Sequence, residues 1–168
     1  GSLLIINTGG WFKIGCPTSS LQPQIVGGIY RVRRKGQQSP ADPWGSEIAW
    51  KTETSEQLVR YLDDNRFAVR DRTVTILASR GEPAIASLVD LLSRKVTVRA
   101  KRSALWTLSR IGSRSAKAAI SSALNDPQPS VRLVAATCAA RSRDEAALKQ
   151  LIQMMEHDEP PVRRQAAA

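Results

Sequence analysis

Four times in this chain a Val-Arg pair opens an apolar stretch: Val69-Arg70, Val98-Arg99, Val131-Arg132 and Val162-Arg163, spaced 29, 33 and 31 residues apart. Three of the pairs follow a polar phrase that stops one segment and turns the chain: Leu62-Asp63-Asp64-Asn65, Leu124-Asn125-Asp126-Pro127 and Met155-Glu156-His157-Asp158. A looser copy, Leu92-Ser93-Arg94-Lys95, precedes Val98. A second break falls inside each unit, at Gly81-Glu82-Pro83, Gly112-Ser113 and Arg143-Asp144, so every unit carries two helical segments. A two-helix unit of about thirty residues cannot bury its apolar side alone and must lean on a neighbour. The rhythm predicts an α-solenoid over residues 54–168, with about seven helices and the last one incomplete.

Each part of the phrase has a physical task. The Asp/Asn/Pro cluster ends one helix and caps the next, and the Val enters the core in the first turn of the new helix. Small residues such as Ala135, Ala136 and Ala139 let neighbouring helices approach closely. Thr54-Ser55-Glu56-Gln57 carries a capping signal, followed by an apolar stripe of Leu58, Tyr61 and Leu62. Apolar residues make up 42% of the chain and aromatics only 5%, so the core must come from Ala, Leu, Val and Ile, which suits close-packed helices.

Ahead of the repeats the pattern changes. Ser2–Asn7 is an apolar run of strand length bounded by Thr8-Gly9-Gly10, and Ile29-Tyr30-Arg31-Val32-Arg33 alternates apolar and basic, with its buried face ambiguous. Trp11, Phe12, Cys16, Pro17 and Pro23 lie in the long connection between them. Two strands do not make an independently stable sheet. Residues 1–35 are therefore expected to pack on the helices or to belong to a larger sheet. Residues 36–53 read as a linker, with Trp44 and Trp50 as anchors that fasten it to the first helices. No apolar run reaches the roughly 18 residues that cross a bilayer, and Leu3-Leu4-Ile5-Ile6 is too short for a signal-peptide core. The expectation is a soluble chain without an address label. It starts without Met and stops in a barely begun helix, which reads as a fragment of a longer protein.

The net charge of +10 is unevenly placed, and residues 94–117 hold Arg94, Lys95, Arg99, Lys101, Arg102, Arg110, Arg114 and Lys117 without one acidic residue. Such a block draws anionic partners, or is simply a solvated helical face. At 100° per residue Arg99, Arg102, Trp106 and Arg110 share one stripe, opposite Ala104, Leu105, Leu108 and Ile111. Arg beside an indole stacks on bases or grips acidic groups, at about 0.5–2 kcal/mol per contact. Alternatively, Trp106 packs against the adjoining repeat while the Arg stems cover it. These four residues form the candidate interaction surface. Arg70, Arg132 and Arg163 read as structural repeat arginines that reach the acidic turns at Asp63, Asp64, Asp126 or Asp158 and set the register of the stack.

Nothing else in the sequence has the spacing of a chemical site. Cys16 and Cys138 are far apart, His157 stands alone, and no metal-ligand or disulfide pattern emerges. Cys16, between Gly15 and Pro17, has no neighbour that would activate it. The pairs Asp63-Asp64 and Asp158-Glu159 fall in repeat turns, and Gly9-Gly10 and Gly27-Gly28 lack phosphate-loop spacing. No catalytic, cofactor-binding or metal-ligating residue is expected in this chain.

The repeat phrase resembles the HEAT-like repeats of the phycobilisome-lyase type, over residues 54–168. The front segment is similar to the end of a β-propeller. It reads Ser-Leu-Leu-Ile-Ile-Asn-Thr-Gly-Gly-Trp-Phe from residue 2, then Gly15-Cys16-Pro17-Thr18-Ser19, then Gly28-Ile29-Tyr30-Arg31-Val32-Arg33-Arg34. The propeller it resembles belongs to large membrane-bound dehydrogenase-type proteins of planctomycete-like bacteria. Their propeller is glucose/sorbosone dehydrogenase-like, a HEAT-like array follows, and many add a c-type cytochrome domain. The resemblance implies that residues 1–35 are the remnant of a propeller blade and that the parent is exported or periplasmic. It further implies a parent that uses a quinone cofactor or haem c, with the propeller itself as a partner of the array. No catalytic residue of that family carries over, and neither cysteine lies in a Cys-x-x-Cys-His motif. The expected function is a non-catalytic scaffold and protein-interaction module. The alternative is an array that binds nucleic acid or another polyanion through residues 94–117.

Overall fold

Ser2–Asn7 (β1) and Gly28–Arg33 (β2) pair antiparallel in a computed structural model that describes residues 2–7, 27–36 and 40–168. The register sets Leu3 opposite Val32, Ile5 opposite Tyr30 and Ile6 opposite Ile29. Because facing residues share a side of the sheet, Leu3, Ile5, Tyr30 and Val32 line one face, and Leu4, Ile6, Ile29 and Arg31 the other. Both faces are thus largely apolar, and the apolar and aromatic side chains on them are 46–73% exposed. This hairpin belongs to a compact unit, Gly1–Ala41. Trp11, Phe12, Cys16, Pro17, Pro23 and the Gly9-Gly10 turn lie outside the described residues.

The second unit, Asp42–Ala168, is a succession of helices. They are α1 (Ser55–Leu58), α2 (Phe67–Arg80), α3 (Glu82–Ser93), α4 (Val98–Ile111), α5 (Arg114–Ser122), α6 (Pro129–Arg141), α7 (Leu148–His157) and α8 (Pro160–Ala166). There are eight among the described residues, against about seven read from the sequence. The first is a single turn continued by a 3-10 segment, Val59–Asp63. Thr54 and Gln57 form the reciprocal capping box that starts it: the Gln57 N–H donates to Thr54 Oγ1 and the Thr54 N–H to Gln57 Oε1.

The helices stack in two layers. The Val-Arg helices follow one another in space as α2, α4, α6 and α8, while α1, α3 and α5 line up in the second layer. This is the translational stacking of an α-solenoid. Val69, Val131 and Val162 are buried and Val98 is partly buried, each in the first turn of its helix. Ala135, Ala136 and Ala139 are also buried, where α6 meets α4 and α8. Leu58, Leu62, Leu77, Leu88, Leu105, Leu108 and Leu124 complete one continuous core. Each such side chain contributes about 1.5–3 kcal/mol on burial.

Residues 42–53, read from composition as part of a linker, belong to the helical unit. Trp50 is buried, tilts against Tyr61 at 5.8 Å between ring centroids, and lies under the Arg72 guanidinium at 4.8 Å. Its Nε1–H donates to the Gly45 carbonyl at 2.6 Å. Gly45 has φ +67°, and a Cβ there would sit 2.8 Å from Val69 Cγ2, so only glycine closes this loop. Trp44, expected to be a second anchor, is instead 71% exposed. The Gly45 turn aims one indole inward and leaves the other outside.

Candidate functional site

The Val-Arg arginines hold turns. Arg70 NH1 donates to the Asp64 carbonyl at 2.6 Å and Arg132 NH1 to the Asp126 carbonyl at 2.9 Å, each in the turn just before its own helix, and Arg163 Nε donates to the Met155 carbonyl at 2.9 Å, in the last turn of α7. Only Arg132 also reaches the next repeat, where it grips the Asp158 carboxylate. Of the three, Arg132 alone bridges repeats, while Arg70 bonds the turn before its own helix and Arg163 the end of the helix before it. The reason is reach: carbonyls six to eight positions back lie under the first helical turn.

The turn carboxylates are used in the same structural way. Asp64 accepts the N–H of Arg66, Asp126 that of Gln128 and Asp158 that of Glu159. In each case the donor is the residue immediately before the helix, so the Asp closes the turn rather than capping the helix's first N–H groups. Hydrogen bonds from Arg66 hold the Asp64 carboxyl below the ordinary carboxylate range, and those from Arg132 do the same for Asp158, both against the opposing effect of burial. At Asp63 burial pushes upward, but the Thr97 hydroxyl and the Arg99 guanidinium outweigh it and lower the carboxyl. Asp63 and Asp64 thus face different partners and form no acid/base dyad.

The four residues of the predicted stripe part company. Arg99 turns back across the stack: its Nε donates to Asp63 Oδ1 at 2.8 Å, and NH2 donates to the Asp63 carbonyl and to Asn65 Oδ1. Its own turn, Arg94-Lys95, offers no acid, so the preceding repeat supplies one. Arg102 is exposed and without a carboxylate partner among the described residues. Trp106 is 37% exposed and Arg110 is exposed, with a single long donation of 3.4 Å to Thr75 Oγ1. Ala104, Leu105 and Leu108 on the opposite face are fully buried, as the stripe requires.

Trp106 and Arg110 line a cleft of about 410 Å³ together with Ser109, Arg141 and Ser142. Arg141 closes α6 as Arg110 closes α4 and Arg80 closes α2, where cations suit the helix dipole. The sequence reading missed Arg141 and Ser142. A signal was available, since Val69, Val98 and Val131 are each followed 10 to 12 residues later by the Arg that ends the helix. The remaining cations of the 94–117 block are partly occupied: Arg94 pairs with Asp90, Lys101 Nζ lies 2.6 Å from Asp126, and Lys117 donates to the Ser142 carbonyl.

Other chemistry-bearing groups are placed apart. Cys138 is buried toward the Leu105 carbonyl, and burial pushes its thiol up to about 11. His157 is exposed beside Glu156. Among the described residues no group of three or more His, Cys, Asp or Glu gathers to hold a metal, and no helix is long and apolar enough to cross a membrane.

The stacked helix pairs define the class: an array of HEAT-like helical repeats, which follows a short two-stranded sheet in the sequence. The HEAT repeats family profile matches residues 96–168. Human deoxyhypusine hydroxylase, solved in complex with glycerol, has a similar fold with a TM-score of 0.55 at 20% identity. The match covers 67% of this chain and 41% of the hydroxylase, so the chain spans well under half of that protein. At this identity the likeness speaks to fold alone. No curated protein matches the sequence.

Proposed function

We propose that this chain is a non-catalytic scaffold, a HEAT-like array that presents a binding surface to a protein partner. The observation that carries this reading is the division of labour among its charges. The turn acids Asp63, Asp64, Asp126 and Asp158 are spent on arginines and a lysine of the stack, while among the described residues Arg102, Arg110 and Arg141 have no carboxylate partner, and the last two line a cleft with the exposed Trp106. Rigid stacking with a local basic and aromatic surface suits docking.

The second reading, nucleic-acid or polyanion binding through residues 94–117, would be favoured by a continuous basic track. Pairing of Arg94, Arg99 and Lys101 with internal acids interrupts such a track. Anisotropy of a labelled DNA duplex at low and physiological salt distinguishes the two. The scaffold reading expects no more than the weak non-specific affinity of about 10⁻⁴–10⁻⁶ M at physiological salt. Tight binding that collapses by several powers of ten as salt rises would favour the polyanion reading instead.

For the parent protein, we propose a propeller domain of the dehydrogenase type that is exported or periplasmic and uses a quinone cofactor or haem c. The apolar character of both faces of the β1–β2 hairpin supports this, because strands covered on both sides read as apolar throughout. The chain's own residues do not fit covalent haem c, because the Cys-x-x-Cys-His motif is absent from its sequence. The full reading frame tests the proposal. Propeller blades before residue 1 are expected, and their absence would refute it.

A further inference from the structure

We infer that the cleft between the C-terminal ends of α4 and α6 receives an acidic peptide segment, with its carboxylates on Arg110 and Arg141 and an aliphatic side chain against Trp106. This rests on the scaffold reading and names the kind of partner it implies.

Arg110 and Arg141, from adjacent repeats, line one cleft together with Ser109 and Ser142, and no acidic residue belongs to its lining. Among the described residues neither arginine has a carboxylate within ion-pair distance. The equivalent residue of the preceding repeat shows what a purely structural arginine does at this place. Arg80 donates to the Glu53 carbonyl at 2.5 Å and to Ser55 Oγ at 3.1 Å, and so is engaged inside the fold. Arg110 makes only the 3.4 Å donation to Thr75 Oγ1, and Arg141 has no side-chain hydrogen bond among the described residues. Two like charges facing one space repel each other, and an incoming anion relieves the repulsion while supplying the acceptors their N–H groups lack.

The shape of the site favours a peptide over a nucleic acid. A phosphate backbone presents charge at regular steps and is gripped by a row of cations. Here the neighbouring cations are committed elsewhere: Arg94 to Asp90, Arg99 to Asp63 and Lys101 to Asp126. Arg110 and Arg141 meet in a single cleft of about 410 Å³, which suits a few side chains, while Lys95, Arg102 and Arg114 lie outside its lining. The indole of Trp106, 37% exposed on its wall, offers a flat apolar face to a branched aliphatic group or a methylene stem.

The test is fluorescence anisotropy on the full chain with a fluorescein-labelled octapeptide of sequence Glu-Glu-Leu-Glu-Glu-Leu-Glu-Glu, beside a counterpart in which every Glu is Gln. The Glu peptide is expected to bind and the Gln peptide not to. R110Q/R141Q and W106A should each weaken binding about tenfold or more, as for central charged and aromatic contacts. K95Q, which removes an exposed charge outside the cleft, should change it by no more than about twofold. A measurement independent of variant folding is the ¹⁵N spectrum of the unaltered chain, in which the Trp106 indole N–H should shift on adding the Glu peptide. Absence of binding, or equal binding to R110Q/R141Q, overturns the cleft assignment and leaves the scaffold reading in place. Tight binding of single-stranded DNA that is lost in R110Q/R141Q, with no binding of the Glu peptide, overturns both.

Discussion

The guanidinium of Arg132 grips both carboxylate oxygens of Asp158, 26 positions further along the chain, with Nε 2.7 Å from Oδ2, while its NH1 stays on the Asp126 carbonyl. One side chain thereby ties the turn of its own repeat to the turn of the next. The two side chains are only 18% and 8% exposed, which lifts the pair above the 0–1 kcal/mol typical of ion pairs in water. Asp158→Asn should cost about 1–3 kcal/mol in urea unfolding. Arg132→Lys should cost nearly as much, because an ammonium cannot hold two carboxylate oxygens and a carbonyl at once.

The same pairing gives stability a pH dependence with a definite sign. The carboxyls of Asp63, Asp64 and Asp158 are held lower in the folded chain than their ordinary value near 4. Their contribution is complete above that unfolded value and is lost as pH falls through the lower folded value. Thermal midpoints should be flat between neutral pH and about pH 5, then drop as pH falls through 4 and below. In Asp158→Asn the acid limb should be shallower, and an unchanged limb would show that Asp158 is not one of its sources.

Gly45 and Gly112 both have φ of +67° but predict different costs. At Gly112, the residue after α4, an added Cβ meets nothing nearer than 3.9 Å, so Gly112→Ala costs only the backbone preference, about 1 kcal/mol. At Gly45 the Cβ would meet Val69 Cγ2 at 2.8 Å and Trp50 Cζ2 at 3.0 Å. Gly45→Ala adds overpacking to strain and should cost about 2–4 kcal/mol by chemical denaturation. Equal costs for the two substitutions would contradict the packing of this loop on α2.

Burial and a raised pKa make Cys138 a poor nucleophile in the folded chain. In a Cys16→Ser background, thiol reagent at pH 8 should label Cys138 only at the rate of unfolding, and promptly once denaturant is present. Prompt labelling of the native chain would contradict the placement of Cys138 against α4.

Much of this architecture was legible in the sequence because repetition amplifies weak local signals. Val69, Val98, Val131 and Val162 mark helix starts at a spacing no single-domain bundle needs, and the capping box at Thr54 and Gln57 is written in adjacent letters. What was illegible depends on contacts between repeats. Arg99 left the predicted stripe because its acceptors, Asp63 and Asn65, lie 36 and 34 positions back. Arg141 joined Trp106 and Arg110 because stacking brings the ends of α4 and α6 together. Trp44 and Trp50 are six residues apart and chemically alike, and only the Gly45 turn decides which indole is buried.

Residue-resolved hydrogen exchange on the intact chain tests most directly that the helices cohere by leaning on neighbours in a row. The amides of α4, which packs against α2, α3, α5 and α6, should exchange slowest, with protection falling stepwise toward α8. Uniform protection from α1 to α8, lost in a single step, would contradict a linear stack and point to a closed bundle.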